Sequence, residues 1–251
     1  MSAWATGSEV VLGQVKTDEK SNEITAIPRL LELIQLHGCL VTIDAMGCQK
    51  DIARKIVDSQ ADYLLAVKDN QPTLAEAVTT IFEEALKDPD FSAPHHQTEN
   101  RGHGRTEVRR SWTLDIDADC GAPFDQWPGL KGIVRVESER TVAGKTSLEQ
   151  RHYITSRSKF SATSALEASR SHWGIENQLH WVLDVAFRED DCRVRADNAA
   201  ESFAVVRHMA LNLLKRAQVG VKKIDKLGVF NKRLLAGWDS GFMLRVLGVA
   251  T

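Results

Sequence analysis

Apolar residues in the segment 171–191 recur at helical spacing: Ile175, Leu179, Val182 and Ala186 follow one another at four, three and four residues. A second series, His172, Glu176, His180 and Asp184, repeats every four residues. Four residues turn an α-helix through about 400°, so these polar groups fall along one slowly drifting face. Trp173 and Trp181 flank it, and rings at this spacing are expected to pack with His180. The pattern predicts an amphipathic helix whose polar face carries carboxylate and imidazole groups.

Earlier in the chain the periods change. Residues 2–5 and 10–15 read as two strands around the turn residues Thr6, Gly7 and Ser8. Ile24, Ile27, Leu30, Leu31 and Ile34 predict a helix over 23–36, capped by Asn22 and kinked by Pro28. The apolar runs 39–43 and 63–67 predict buried strands, each followed by a helix, over 50–57 and 73–86. Strand, helix, strand, helix implies parallel pairing in an α/β sheet, where ligands gather at the carboxyl ends of the strands. Asp44 lies at such an end, as a site carboxylate or as a cap for the next helix; the pattern leaves both open.

Residues 88–100 are polar and read as a boundary. Beyond them 106–114, 132–137 and 151–155 are β-like, and Gly144 marks a hairpin turn. The expected organisation is therefore a core over 1–90, a β-rich insertion over 91–156, and a helical part over 157–251. In that last part 188–197 is a charged loop, 204–214 is helical, and Gly220, Gly228, Gly237 and Gly241 cut the remainder into short pieces.

Composition narrows the function classes. The 251 residues are 43% hydrophobic, enough for a sizeable core, and the net charge of −2 gives no global basic signature. From Glu201 onward, however, nine Lys/Arg face three Asp/Glu, a balance of +6, against −8 over the first 200 residues. Such a tail, with Lys222, Lys223, Lys226, Lys232 and Arg233, suits a polyanion or simply a solvated surface. Arg101, Arg105, Arg109 and Arg110 offer further phosphate contacts or an edge-strand charge pattern. Four scattered cysteines fit a reducing cytosol, and neither a membrane span nor a secretory leader is expected. A zinc site built on His172, Glu176 and His180 fails on reach: eight residues separate the imidazoles by about 12 Å along a helix.

Three segments carry a resemblance: TIDAMGCQKDIA at 42–53, ADYLLAVKDNQPTL at 61–74 and SHWGIENQLHWVLDVAFRED at 171–190. With KSNEI at 20–24, HGRTEVRR at 103–110 and the closing RLLAGWDSGFMLRVL, the chain resembles insertion-sequence transposases of the H-repeat-associated type, linked to Rhs elements. These resemble the DDE recombinases, which implies a ribonuclease-H-like α/β fold with a mixed sheet. The resemblance also implies three carboxylates holding two divalent ions, Mg²⁺ or Mn²⁺, across a DNA phosphodiester. Asp44 matches the second carboxylate and Glu176 the third, so the two are expected to converge. His172 stands where related enzymes often carry Arg, to touch phosphate or orient Glu176. The first carboxylate, on the first strand, is expected upstream of Met1, so the chain reads as an N-terminally truncated transposase. Asp18 is its only substitute before Asp44. The resemblance implies a cytoplasmic protein that engages double-stranded DNA and allows self-association. An inactive DNA-binding or dimerising fragment is the alternative to metal-dependent cleavage and strand transfer.

Overall fold

The computed structural model describes residues 1–17, 23–88, 95–102, 104–117, 119–218, 220 and 222–249. Asp18 and the expected cap Asn22 lie outside the described residues. The chain divides into two compact units, one formed by residues 17–172 and the other by residues 1–16 with 173–251.

In the larger unit, α1 (Glu23–Glu32) contains Pro28 and stops four residues short of the predicted end. Then come β3 (Leu40–Ile43), α2 (Lys50–Asp58), β4 (Asp62–Val67) and α3 (Pro72–Lys87). β3 and β4 pair in parallel, as their order implies. Tyr63, Leu64 and Leu65 are at most 1% exposed, which is why β4 reads as a continuous apolar run: a strand covered on both faces has no polar side. Pro72 occupies the first turn of α3, where its missing N–H costs nothing, and Leu74, Val78 and Phe82 form the helix's buried stripe.

The chain then enters β5 (His95–Gly102), β6 (Arg105–Asp115), β7 (Gly132–Val142) and β8 (Lys145–Thr155). β5 corrects the reading of 88–100 as a boundary without a strand. β7 and β8 also run farther than their apolar cores suggest. All four join the same six-stranded mixed sheet, in the order β3-β4-β8-β7-β6-β5. α4 (Ala162–His172) closes the unit.

Alternation sorts the side chains of this sheet. One face meets α4: the Ser111 hydroxyl donates to the Ala162 carbonyl at 2.7 Å, and the Tyr153 and Ser169 hydroxyls lie 2.8 Å apart. Leu64, Val134, Val136, Phe160, Ala165 and Leu166 pack there as one core. The other face meets α3, where His152 stacks on Phe82 with centroids 5.9 Å apart.

β4 ends at Val67, opposite His152 of β8. The seven residues of β8 from 145 to 151 continue beyond it, accompanied by β7, β6 and β5. At roughly 3.3 Å per residue this far half of the sheet reaches about 23 Å past the carboxyl end of β4.

In the smaller unit, β1 (Ser2–Ala5) and β2 (Val10–Gln14) form the predicted hairpin. After Trp173 a π-helical turn (Glu176–His180) leads into α5 (Trp181–Phe187), followed by α6 (Ala199–Arg216), α7 (Lys222–Asp225), α8 (Val229–Trp238) and α9 (Ser240–Val246). The Asn212 side chain of α6 both accepts from the Val11 N–H and donates to the Val11 carbonyl, each at 2.9 Å. One amide thereby satisfies both backbone groups of a strand residue. Val11, Leu179, Leu183 and Leu211 form the core between hairpin and helices.

Among the described residues no helix is long and apolar enough to cross a membrane.

Candidate functional site

Asp44 follows β3 directly, with extended backbone (φ −68°, ψ 178°). Its Oδ1 accepts the Gly47 N–H at 3.3 Å and so caps a single 3₁₀ turn over Ala45–Gly47. The two readings left open by the sequence are therefore not exclusive: Asp44 stands at the carboxyl end of the parallel pair and is also a cap, with an exposed side chain. Gly47 is needed for this turn, because a Cβ there would collide with Ile43 and come within 2.8 Å of Ile27 Cδ1. Beneath it Cys48 is fully buried, and desolvation pushes its thiol up to about 12, which makes it inert.

The loop after β4 holds the loop after β3. Asn70 Nδ2 donates to the Ala45 carbonyl at 2.6 Å, and Gln71 Nε2 to the Cys48 carbonyl at 2.9 Å. Two adjacent parallel strands thus end in loops tied together by side-chain amides, which fixes the backbone that carries Asp44. Sequence reasoning gave Asn70 and Gln71 no role. Their signal was the polar run Lys68-Asp69-Asn70-Gln71-Pro72 directly after the second strand of the pair.

His172 ends α4, and its Nδ1 lies 3.2 Å from the Thr42 hydroxyl on β3. Thr42 is two residues before Asp44, so it lies on the same side of the strand. The first residue of the HWGIEN segment is in this way anchored to the strand that delivers Asp44. Thr42, like Asn70 and Gln71, is a residue that the sequence reading missed.

Glu176 belongs to the other unit. It opens the π-helical turn, closed by the Trp181 N–H on the Glu176 carbonyl. This corrects the expectation of one regular helix across 171–191: α4 stops at His172, and a wider turn intervenes before α5. Such turns are frequent at functional positions. Leu179, Leu183 and Ala186 are buried, while Glu176, His180 and Asp184 are exposed, exposed and half-buried. His180 is not packed away between rings as its spacing suggested; Trp173 and Trp181 are themselves 43% and 61% exposed.

The basic candidates separate by environment. On β6, Arg109 pairs with Glu107 at 2.6 Å and Arg110 with Glu139 at 3.0 Å, whereas Arg105 is exposed at the strand's start. Arg101 on β5 pairs with Glu99. Lys222 and Lys223 are exposed on α7. Lys232 departs from the expected surface role: it is 5% exposed and donates to the Ala217 carbonyl at 3.0 Å. Arg233 is half-buried, with its guanidinium 5.9 Å and 5.8 Å from the rings of Phe187 and Phe230. Among the described residues no three His, Cys, Asp or Glu side chains form a group that could hold a metal ion.

Residues 1–213 match the family described as Transposase DDE domain. The chain is 40% identical over 254 residues to the H repeat-associated putative transposase YhhI of Escherichia coli (strain K12), covering 98% of this chain and 65% of that protein. The same figures hold for the putative protein YbfL of that strain. Identity to the putative transposase YncI of Escherichia coli O157:H7 is 46% over 241 residues, covering 92% of this chain and 60% of the relative. The chain thus spans about 65% of the length of the first two relatives. A mixed α/β sheet of ribonuclease-H-like type and a family match over most of the sequence place this chain in the DDE transposase family.

Proposed function

We propose that this chain serves DNA transposition by metal-dependent phosphodiester cleavage and strand transfer, acting in the cytoplasm on double-stranded DNA. The observation that carries the reading is the placement of Asp44 at the carboxyl end of the parallel pair β3–β4, in a loop held by the Asn70 and Gln71 side chains. In this reading Asp44 and Glu176 supply two of the carboxylates that hold the metal.

The donor chemistry fits. Asp44 presents a hard carboxylate, one oxygen of which is engaged by a single N–H, and Glu176 presents another at an exposed position. Mg²⁺ or Mn²⁺ held there would polarise the phosphodiester and lower the pKa of an attacking hydroxyl. Asn70 and Gln71 keep the Asp44 loop in place, so its carboxylate is preorganised at no cost during the reaction. His172 acts as a positioning residue for Asp44, through the Thr42 hydroxyl on the strand that ends in Asp44. In the same reading 1–90 and 157–251 carry the reacting carboxylates, and 91–156 extends the sheet toward the substrate.

The test is plasmid nicking with Mg²⁺ or Mn²⁺, paired with Mn²⁺ titration of the protein. Asp44→Asn and Glu176→Gln are expected to abolish nicking and to weaken Mn²⁺ binding, while DNA affinity stays unchanged. His172→Ala is expected to lower activity by about 10–100-fold, as for groups one step removed from a metal. DNA retention without nicking, with Mn²⁺ affinity indifferent to both carboxylates, would support the DNA-binding fragment instead.

A further inference from the structure

The far half of the six-stranded sheet has two faces of different charge. Register and alternation place Arg105, Glu107 and Arg109 of β6, Arg140 of β7, and Lys145, Glu149 and Arg151 of β8 on the α4 side. That side carries five basic and two acidic residues. The α3 side carries Arg101, Arg110 and Arg135 against Glu99, Glu137 and Glu139, a balance of zero. Each base on the α3 side is paired: Arg101 with Glu99, Arg110 with Glu139 and Arg135 with Glu137. On the α4 side Arg109 and Arg151 are paired with Glu107 and Glu149. Arg105, Arg140 and Lys145 have no ion-pair partner among the described residues, and all three are exposed at the outer end of the hairpins.

Asp44 belongs to the same side. Thr42 meets His172 of α4, and Asp44 follows it by two residues in extended backbone. One face of one sheet therefore bears the strand-end carboxylate at its near half, beside the edge strand β3, and an unneutralised basic cluster on the outer ends of β6, β7 and β8, up to about 23 Å past the end of β4. Within a chain whose first 200 residues carry −8, this is a local reversal of sign.

We propose that the α4-side face of this paired-hairpin arm is a docking surface for the backbone of duplex DNA, with Arg105, Arg140 and Lys145 on phosphates. Counting the offset along the strands and the two to four strands across from β3, about 25–32 Å, these contacts fall on a stretch roughly 7–9 bp from the phosphate held at Asp44, at about 3.4 Å per base pair. Contacts of this kind, made to phosphates, position the substrate without reading its sequence. The inference rests on the proposed cleavage at Asp44 for its direction, and on the charge asymmetry for its partner.

The test uses the 251-residue chain and a duplex of roughly 30 bp over about 50–200 mM salt. Arg105→Gln/Arg140→Gln/Lys145→Gln is expected to reduce the slope of log affinity against log salt by about 2.7, and affinity by on the order of 10²-fold at 0.1 M. Arg101→Gln/Arg110→Gln, on the opposite face, should change affinity less than about threefold. The charge-conserving Arg105→Lys/Arg140→Lys/Lys145→Arg should retain the wild-type slope, which separates charge from folding. Hydroxyl-radical footprints should lose protection only at the arm's end. No binding by the wild type, or a neutralised triple variant that behaves like the opposite-face control, overturns the proposal. Asp44→Asn keeps the two readings apart. If it still cleaves, the cleavage reading falls while the arm result stands. If it is dead and the triple variant retains its slope, the arm alone is refuted.

Discussion

In the near half of the large sheet, Tyr63, Leu64, Leu65, Ile133, Val134 and Ile154 are each at most 1% exposed, lying between α4 on one face and α3 on the other. In the far half the same strands β7 and β8 run on, and every residue from Val142 to Gln150 is exposed. The backbone ladder is continuous across the boundary, so the difference lies entirely in the side chains. The near half is held by burial. The far half is held by its ladder and by cross-strand pairs such as Arg110–Glu139 and Thr141–Thr146. A region that owes little to packing is free to carry charge for a partner, whereas a region built on burial holds the backbone of its loops, such as the one bearing Asp44, in place.

The largest effect should come from opposite ends of β8. Ile154→Ala removes a fully buried side chain and should cost about 2–5 kcal/mol, while Leu148→Ala, at 57% exposure, should stay within about 0.5 kcal/mol. Urea denaturation of the two variants reads the difference directly, and equal losses would erase the distinction between the halves.

A second probe sits at the boundary. His152 opposite Val67 is held down to about 4, first by burial and then by the Arg135 charge. Because its ordinary value is 6.5, the fold favours the neutral imidazole. That stabilisation is complete above pH 6.5 and is lost as pH falls from 6.5 toward 4. The expected loss is on the order of 2–3 kcal/mol. His152→Phe, which preserves the stack on Phe82, should flatten the profile across that window. A variant as acid-sensitive as the wild type would place the titrating group elsewhere.

The smallest effect belongs to the arm. A double-mutant cycle on Arg110 and Glu139 should give about 0.2–1 kcal/mol, shrinking with salt. A coupling of several kcal/mol would mean that the far half is more tightly organised than its exposure implies.

These contrasts also explain what the sequence made legible. β3, β4, α2 and α3 showed themselves because each buries a face, and burial leaves a period of two, a period of 3.6 or a solid apolar run. Asp44 was singled out at the end of such a strand, and Glu176 on the polar face of the helical pattern over 171–191. β5 escaped because His-His-Gln-Thr-Glu-Asn-Arg-Gly holds no apolar residue and buries none of its residues fully, with only His96 and Thr98 half-buried; an edge strand on an arm needs β-pairing but no apolar side. The outer residues of β7 and β8 were missed for the same reason. Asn70, Gln71 and Thr42 act by hydrogen bonds to residues distant in sequence, which no local period records. Lys232 was read as a surface charge because a lysine bonded to a buried carbonyl looks, in sequence, like any other.

A helix is a screw thread, and the turn over Glu176–His180 winds one surplus residue into it. Leu179 sits inside that turn and Leu183 just beyond it, and both seat against Val11 and Leu211. Removing one residue, such as Asn177, would restore the regular pitch and swing everything after it by about 100° relative to Glu176. Leu183 would leave its seat, or Glu176 would change heading to keep it there. The aim of this carboxylate is therefore set by how many residues separate it from its core, a property of length that no single substitution on the helix can retune.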